Sequence, residues 1–320
     1  MRVTRAGVVG AGTMGAAIAE VLALNGIEVV LKDVDRIRVD QGLSRVAGFV
    51  DELVAFHTQR GEKEIARIEG LGIRLTEDQK AKVRTTLAPK VSRAQGDAIV
   101  ARVRGTTDYA EFGTADLVIE AVFERADAKR AVLEALDAVV PDHTVIGSNT
   151  SSLSITRLAK GMKHVRETLV THFFNPPITL PLVEVSGGVE TREDVLVDTI
   201  DFLQTLRNHR YPMLPIRVSE SPAFLVNRIL LPVLNEAAFA LDEGVASARD
   251  IDTAMKAGAG LPMGPFELAD LIGLDIALEV SETLQRETGD PKYRASPSLR
   301  RLVDAGHLGR KTGRGYFEYP

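Results

Sequence analysis

Three glycines at a fixed spacing, followed by a carboxylate, are the first residues in the chain whose types suggest chemistry. Gly10-Ala11-Gly12-Thr13-Met14-Gly15 fits the pattern G-x-G-x-x-G. Gly10 permits a tight turn out of a strand, Gly12 lets a backbone approach a ligand closely, and Gly15 allows a helix to pack on that strand. The N–H groups and positive dipole of the helix then face an anion. A lone match would be weak evidence. Here an apolar run precedes it, a helical pattern follows, and Asp33 falls eighteen positions after Gly15 at the end of a second apolar run. That is the context in which the pattern binds a dinucleotide, with Thr13 and Met14 in the phosphate-facing turn. Asp33 suits the two ribose hydroxyls of the adenosine half and repels a 2′-phosphate, so NAD is expected rather than NADP, although Lys32 and Arg36 lie nearby. The bland alternative is a glycine-rich turn with no ligand.

A second group lies farther along. His172 stands in "THFFNPP" at the C-terminal end of an apolar run, and Glu184 stands twelve residues on, in "LVEVSG". In open α/β sheets the C-terminal strand ends face the ligand crevice. A glutamate inside a buried strand is costly unless paired, and pairing with His172 removes that cost. Such a dyad beside a nicotinamide suits alcohol oxidation. Histidine accepts the hydroxyl proton near neutral pH, and binding aligns the carbon for hydride loss. In "GSNTSSLS", Asn149 and Ser151 suit either a substrate hydroxyl or nicotinamide amide, or the capping of the next helix. The remaining histidines, His57, His143, His164, His209 and His307, read as structural or exposed.

The elements that must position these residues follow from periodicity. Strands are expected at 6–9, 28–31, 117–120, 145–148, 168–173 and 182–185, with helices at 14–25 and 125–140, the latter stopped by Pro141. Strands alternating with helices imply a parallel sheet with crossovers. Residues 36–105 are polar and helical in period, broken by Gly61, Gly70, Gly72 and Pro89, and read as an excursion of two long antiparallel helices or a solvated surface insertion. A linker is expected at 219–222, then helices at 224–243, 248–257, 265–287 and 297–305. The expected fold is α/β: an N-terminal Rossmann-type doubly wound sheet with a helical insertion over 1–218, then an all-α domain over 219–320.

Composition fits this. The chain has 320 residues, 45% hydrophobic and 26% charged, and a net charge of -5, which gives no reason to expect nucleic acid or an anionic membrane as a partner. It contains no cysteine, so disulfides, thiolate catalysis and Cys-ligated metal sites are excluded; no metal ligands are assigned. The apolar stretch from Ala6 to Leu31 is interrupted by glycines and by Glu20 and Glu28, which argues against a membrane span. No signal peptide is read, and a cytoplasmic location is expected.

The residues also resemble a known family. The blocks "GVVGAGTMGAAIAE", "DLVIEAVFE", "SNTSSLSIT", "HFFNPP", "LVEV", "FLVNRIL", "DIDTAMKAGAGLPMGPFELADLIGLD" and "KTGRGYFEY" run through nearly the whole chain. In that order and spacing they are similar to the 3-hydroxyacyl-CoA dehydrogenases, nearest the 3-hydroxybutyryl-CoA branch. The resemblance implies that His172 is the catalytic base, Glu184 its partner, Ser151 a hydrogen-bond donor to the 3-hydroxyl, and Asn175 its neighbour near the nicotinamide. It implies that Asn227 holds substrate from the second domain, and that Asp33, Glu124, Lys129 and Lys311 contact NAD. The implied reaction is reversible oxidation of an (S)-3-hydroxyacyl-CoA of short or medium chain, by a homodimer built on the helical domain. Alternatives are a dehydrogenase of a free hydroxy acid and a non-catalytic NAD-binding structural protein. Three departures stand out. Pro222-Ala223-Phe224 replaces the family's Pro-Gly-Phe. The preceding "LRNHRYPMLPIRVSES" is longer than usual, and so is the segment 51–101. In that segment and just before it, Arg45, Arg60, Lys63, Lys82 and Arg84 are phosphate partners by charge alone.

Overall fold

The computed structural model describes residues 1–88 and 91–319. Contact density divides the chain into two units: 1–150 with 155–218, and 151–154 with 219–320.

The first unit is built on an eight-stranded sheet. Its strands are β1 (Arg5–Val9), β2 (Glu28–Lys32), β3 (Val103–Thr106), β4 (Leu117–Glu120), β5 (Val145–Ser148), β6 (Thr168–Phe173), β7 (Leu182–Gly187) and β8 (Leu214–Arg217), in the order β3-β2-β1-β4-β5-β6-β7-β8. The first six run parallel, in the doubly wound order whose direction of growth reverses between β1 and β4. The expected α/β class is therefore observed. Its crossovers are α1 (Thr13–Leu24), the excursion α2 (Arg36–Gly70), α3 (Glu77–Thr86) and α4 (Arg93–Ala101), α5 (Ala126–Asp137), and the short α6 (Ile155–Leu158). The helix α7 (Glu193–Thr205) lies between β7 and β8.

Alternation along the strands builds two cores. Ala6 and Val8 of β1, Val29 and Leu31 of β2, and Leu117 and Ile119 of β4 pack with α1 and α2. On the other face Gly7 meets Phe112 so closely that a Cβ would lie 2.5 Å from its ring. The fully buried Phe112, Leu133 and Leu136 provide mass on the helices outside the first core.

Four expectations change. The strands β3 and β8 were not foreseen: β3 falls at the end of the supposed helical excursion, and β8 in the approach to the linker. Both are four-residue edge strands. "VRGT" is polar and "LPIR" contains Pro215, whose missing N–H is tolerated at an edge. The strand β7 runs antiparallel to β6, because the short 174–181 connection lacks the dozen or more residues a parallel crossover needs. The excursion is one 35-residue helix with two short ones packed back on it. Gly61 does not break α2; a Cβ there would lie 3.3 Å from Arg84 Cα, so the glycine admits α3. Pro89 lies outside the described residues.

The second unit contains α8 (Val226–Asp242), α9 (Ala248–Ala259), α10 (Pro265–Ile272), α11 (Leu274–Thr288) and α12 (Pro297–Asp304) around a core that includes Leu231, Leu274 and Leu284. The single helix expected over 265–287 is split by Gly273, whose φ of 107° an L side chain rarely adopts. Ala223 sits buried at a φ of 59°. Left-handed backbone at a non-glycine residue costs about 1–2 kcal/mol.

Candidate active site

The glycine turn joins β1 to α1 with no room for side chains. Gly10 has a φ of 105°, and a Cβ on it would lie 2.5 Å from the Ala121 carbonyl oxygen, after β4. A Cβ on Gly15 would lie 1.8 Å from the Gly10 carbonyl oxygen. Among the described residues, a Cβ on Gly12 would meet no atom within 4 Å beyond its own chain neighbours. Two glycines thus close the protein against itself, and the third leaves its backbone open to a ligand. Thr13 is exposed and Met14 half-buried in the first turn of α1, whose N-terminus has no side-chain cap. This cradle fits a dinucleotide pyrophosphate.

Asp33 is held in place beside that turn. Its Oδ2 accepts the Ala11 N–H at 2.8 Å and its Oδ1 the Val34 N–H at 2.7 Å. Each carboxylate oxygen retains a lone pair for a ribose hydroxyl. Arg36 pairs with Asp40 at 2.9 Å, and the buried Lys32 places its ammonium 4.0 Å from the Tyr109 ring centre. Burial lowers the Lys32 pKa, against the opposing influence of Asp33 and Asp108. Arg45, a candidate by charge alone, reaches the turn itself, with Nη1 3.1 Å from the Ala11 carbonyl oxygen. Arg84 is held by Glu62 at 2.6 Å, and Arg60 lies 5.9 Å from the Phe56 ring centre.

Under the turn after β4 lies a buried charged network. Lys129, 1% exposed, donates to Glu120 at 2.8 Å and to the Val122 carbonyl at 3.2 Å, and lies 3.3 Å from Glu124. Glu120, fully buried, also accepts from Ser148 Oγ at 2.6 Å and the Val122 N–H at 2.7 Å. Thr150 Oγ1 donates to Glu124 at 2.6 Å. Lys129 therefore orders the 121–124 turn from beneath, while Glu124 is partly exposed on it. Sequence reasoning missed Glu120, although the argument that singled out Glu184 applied equally to a glutamate ending "LVIE".

At the end of β6, His172 and Glu184 sit directly opposite in the antiparallel register, which puts their side chains on one face. His172 Nδ1 lies 2.8 Å from Glu184 Oε2; the imidazole is 6% exposed and the carboxylate fully buried. The Phe174 ring lies 4.6 Å from the imidazole, centre to centre. Asn149 ties the neighbouring strand ends together, its Oδ1 accepting the Phe173 N–H at 2.9 Å and its own N–H bonding to the Glu120 carbonyl at 2.8 Å. Asn175 follows, exposed, in the loop after β6. Glycine turn, Asp33, Glu124, His172 and Asn175 thus all occupy the C-terminal ends of the parallel strands, where an open α/β sheet binds ligands.

The other predicted residues belong to the second unit. Ser151 clusters with it through the short segment 151–154. Asn227 lies in the first turn of α8, half-buried. Lys311 is exposed, and its ammonium grips both oxygens of Asp275 at 2.5 and 2.6 Å, at the start of α11.

A family model described as the NAD-binding domain of 3-hydroxyacyl-CoA dehydrogenase matches residues 5–83 and 74–218, and that of the same enzymes' C-terminal domain matches 224–319. The chain belongs to the 3-hydroxyacyl-CoA dehydrogenase family. It is an NAD-dependent oxidoreductase of that family, acting on 3-hydroxyacyl-CoA. Among its relatives is a 3-hydroxybutyryl-CoA dehydrogenase of Clostridioides difficile, 38% identical over 98% of each chain. The mitochondrial hydroxyacyl-coenzyme A dehydrogenase of Mus musculus is 36% identical over 98% of this chain and 90% of its own. The crystal structure of an (S)-3-hydroxybutyryl-CoA dehydrogenase from Ralstonia eutropha is 39% identical, covers both chains fully and superposes with a TM-score of 0.82.

Proposed function

We propose that this 3-hydroxyacyl-CoA dehydrogenase oxidises short-chain (S)-3-hydroxyacyl-CoA thioesters such as 3-hydroxybutyryl-CoA, with His172 as general base and Glu184 as its partner. The observation that carries the reading is the buried 2.8 Å contact between Nδ1 of His172 and Glu184 at the C-terminal end of β6. With Nδ1–H donated to the carboxylate, Nε2 carries the lone pair that takes the proton from the 3-hydroxyl. Glu184 stabilises the positive charge that this transfer creates on the ring. Bound NAD would supply the hydride acceptor for C3. The turn at Gly10, Gly12 and Gly15 would hold its pyrophosphate at the first turn of α1, and Asp33 would accept hydrogen bonds from its ribose hydroxyls. Glu124 and Asn175, at the neighbouring strand ends, would contact it, with Lys129 supporting Glu124 from below. Ser151 hydrogen-bonds the 3-hydroxyl, Asn227 holds substrate and Lys311 contacts NAD, with 1–218 as the NAD-binding domain and 219–320 as the helical domain. The names of the relatives support the four-carbon substrate.

The same reading makes the protein a cytoplasmic homodimer. Leu225, Ile229 and Val233 recur every fourth residue at and beyond the start of α8 and are 43%, 62% and 40% exposed, which supports a partner on that face of the helical domain. Among the described residues no helix is long and apolar enough to cross a membrane.

The test is turnover. Purified protein should oxidise NADH with acetoacetyl-CoA far faster than with acetoacetate, and His172→Ala should lose most of that rate. A variant with wild-type turnover removes His172 from the chemistry, and a preference for the free acid removes the thioester.

A further inference from the structure

Between α7 and β8 the chain forms a tight loop over residues 206–213. Asn208, fully buried, holds it together: its Oδ1 accepts the N–H groups of Arg210 and Tyr211, both at 2.9 Å. The Met213 N–H closes the loop on the Leu206 carbonyl at 2.8 Å.

The loop touches two parts of the first unit. Toward α1, Asn25 exchanges hydrogen bonds with the Arg207 backbone at 2.8 and 3.0 Å. His209 Nε2 lies 2.9 Å from Glu20 Oε1. Toward the connection after β6, Asn208 Nδ2 donates to the Pro177 carbonyl at 3.1 Å and the His209 N–H to the Ile178 carbonyl at 3.0 Å. So residues 206–213 bridge the helix that carries the dinucleotide turn and the segment that carries Asn175.

Glu20 marks this as more than loop packing. It is fully buried in α1, and among the described residues its Oε2 has no hydrogen-bond partner. A buried carboxyl is costly without one, and nothing in the glycine fingerprint calls for a glutamate there. The contact with His209 partners its Oε1 and is the only link that ties this carboxyl to the loop among the described residues.

We propose that residues 206–213 are a strut that sets the 174–180 connection against the cofactor helix, and that the Glu20–His209 contact is its pin. Both are positioning residues. The inference rests on Asn175 and His172 acting as assigned above. Hydride transfer is sensitive to displacements well below 1 Å, so losing the pin should slow turnover more than it weakens binding.

The experiment compares Glu20→Leu, His209→Leu and their double variant with Glu20→Gln and His209→Gln, with His172→Ala as control. The two leucine variants should each lower kcat about tenfold, with KM for acetoacetyl-CoA and Kd for NADH within about twofold of wild type. The double variant should be no worse than either single one, because both remove one contact. The glutamine variants keep an uncharged hydrogen bond and should recover most of the rate. Should Glu20→Leu fail to fold, His209→Leu, a change in a loop, carries the test. A shifted melting temperature with unchanged kcat would reduce the contact to ordinary packing and overturn the strut. Additive leucine effects without recovery by glutamine would overturn it too. If His172→Ala loses its rate while the strut variants keep theirs, only the strut is refuted; if His172→Ala keeps wild-type rate, the reading of the site beneath it fails.

Discussion

Replacing Glu184 by glutamine removes one charge and almost no volume, which makes it the sharpest probe of the dyad. The carboxylate is fully buried and its Oε2 lies 2.8 Å from His172 Nδ1. A hydrogen bond to a charged group contributes about 1.5–3 kcal/mol. In this site that contribution grows as the ring becomes positive, so it is realised mainly in the transition state. At about 1.4 kcal/mol per factor of ten, Glu184→Gln should lower kcat roughly 10- to 150-fold. The introduced amide can also turn its NH2 toward Nδ1, which would place the ring proton on Nε2 and silence the base. KM for acetoacetyl-CoA and Kd for NADH should stay near wild type, since the carboxylate is fully buried against the imidazole. The assay is steady-state NADH oxidation, with NADH fluorescence titration for binding. A kcat within twofold of wild type would refute the charge argument; a large rise in KM at constant kcat would assign Glu184 to substrate binding instead.

Three further outcomes are expected. Gly15→Ala puts a methyl 1.8 Å from the Gly10 carbonyl oxygen and should cost about 3 kcal/mol or more of stability, whereas Gly12→Ala, whose Cβ meets no atom of the described residues within 4 Å beyond its own chain neighbours, should fold normally and lose NADH affinity; urea unfolding and fluorescence titration distinguish the two. Lys129→Met strands the fully buried Glu120 carboxylate and should destabilise the protein by about 3–5 kcal/mol, read by urea unfolding. Tyr319 donates its hydroxyl to Asp270 at 3.0 Å, and burial together with that contact pushes its pKa up to about 12. Because the folded value lies above the unfolded one, its contribution is complete below pH 10 and lost as pH rises from about 10 to about 12. The difference in stability between wild type and Tyr319→Phe should therefore shrink over that window.

Much of the site was legible because its signals are local. A turn that needs a positive φ and two positions without side chains demands glycines at set spacing, and the parallel pairing of β2 with β1, Val9 opposite Lys32, brings Asp33 beside that turn. The His172–Glu184 pairing was also readable, since a glutamate in an apolar strand calls for a partner. Where that same argument was not applied, Glu120 went unnoticed with the network it anchors. The missed strands β3 and β8 share a cause. Edge strands are covered on fewer sides, so four residues such as "VRGT" carry no apolar run or alternation to detect, unlike the equally short but fully buried β4 and β5.

What lay in the sequence alone was the alternation of the six inner strands with helices, the dinucleotide turn, and the kind of chemistry the chain performs. These depend on backbone dihedrals and periods of two or 3.6 residues, which neighbouring residues set among themselves. The antiparallel turn of β7, the register that puts His172 opposite Glu184, the burial of Lys129 beneath its turn and the meeting of His209 with Glu20 came from the folded chain. Each joins groups whose cost of burial is the same wherever they lie, so their partners are chosen by which surfaces the packed sheet and helices bring together. The Glu20–His209 pair, 189 positions apart, is the plainest case.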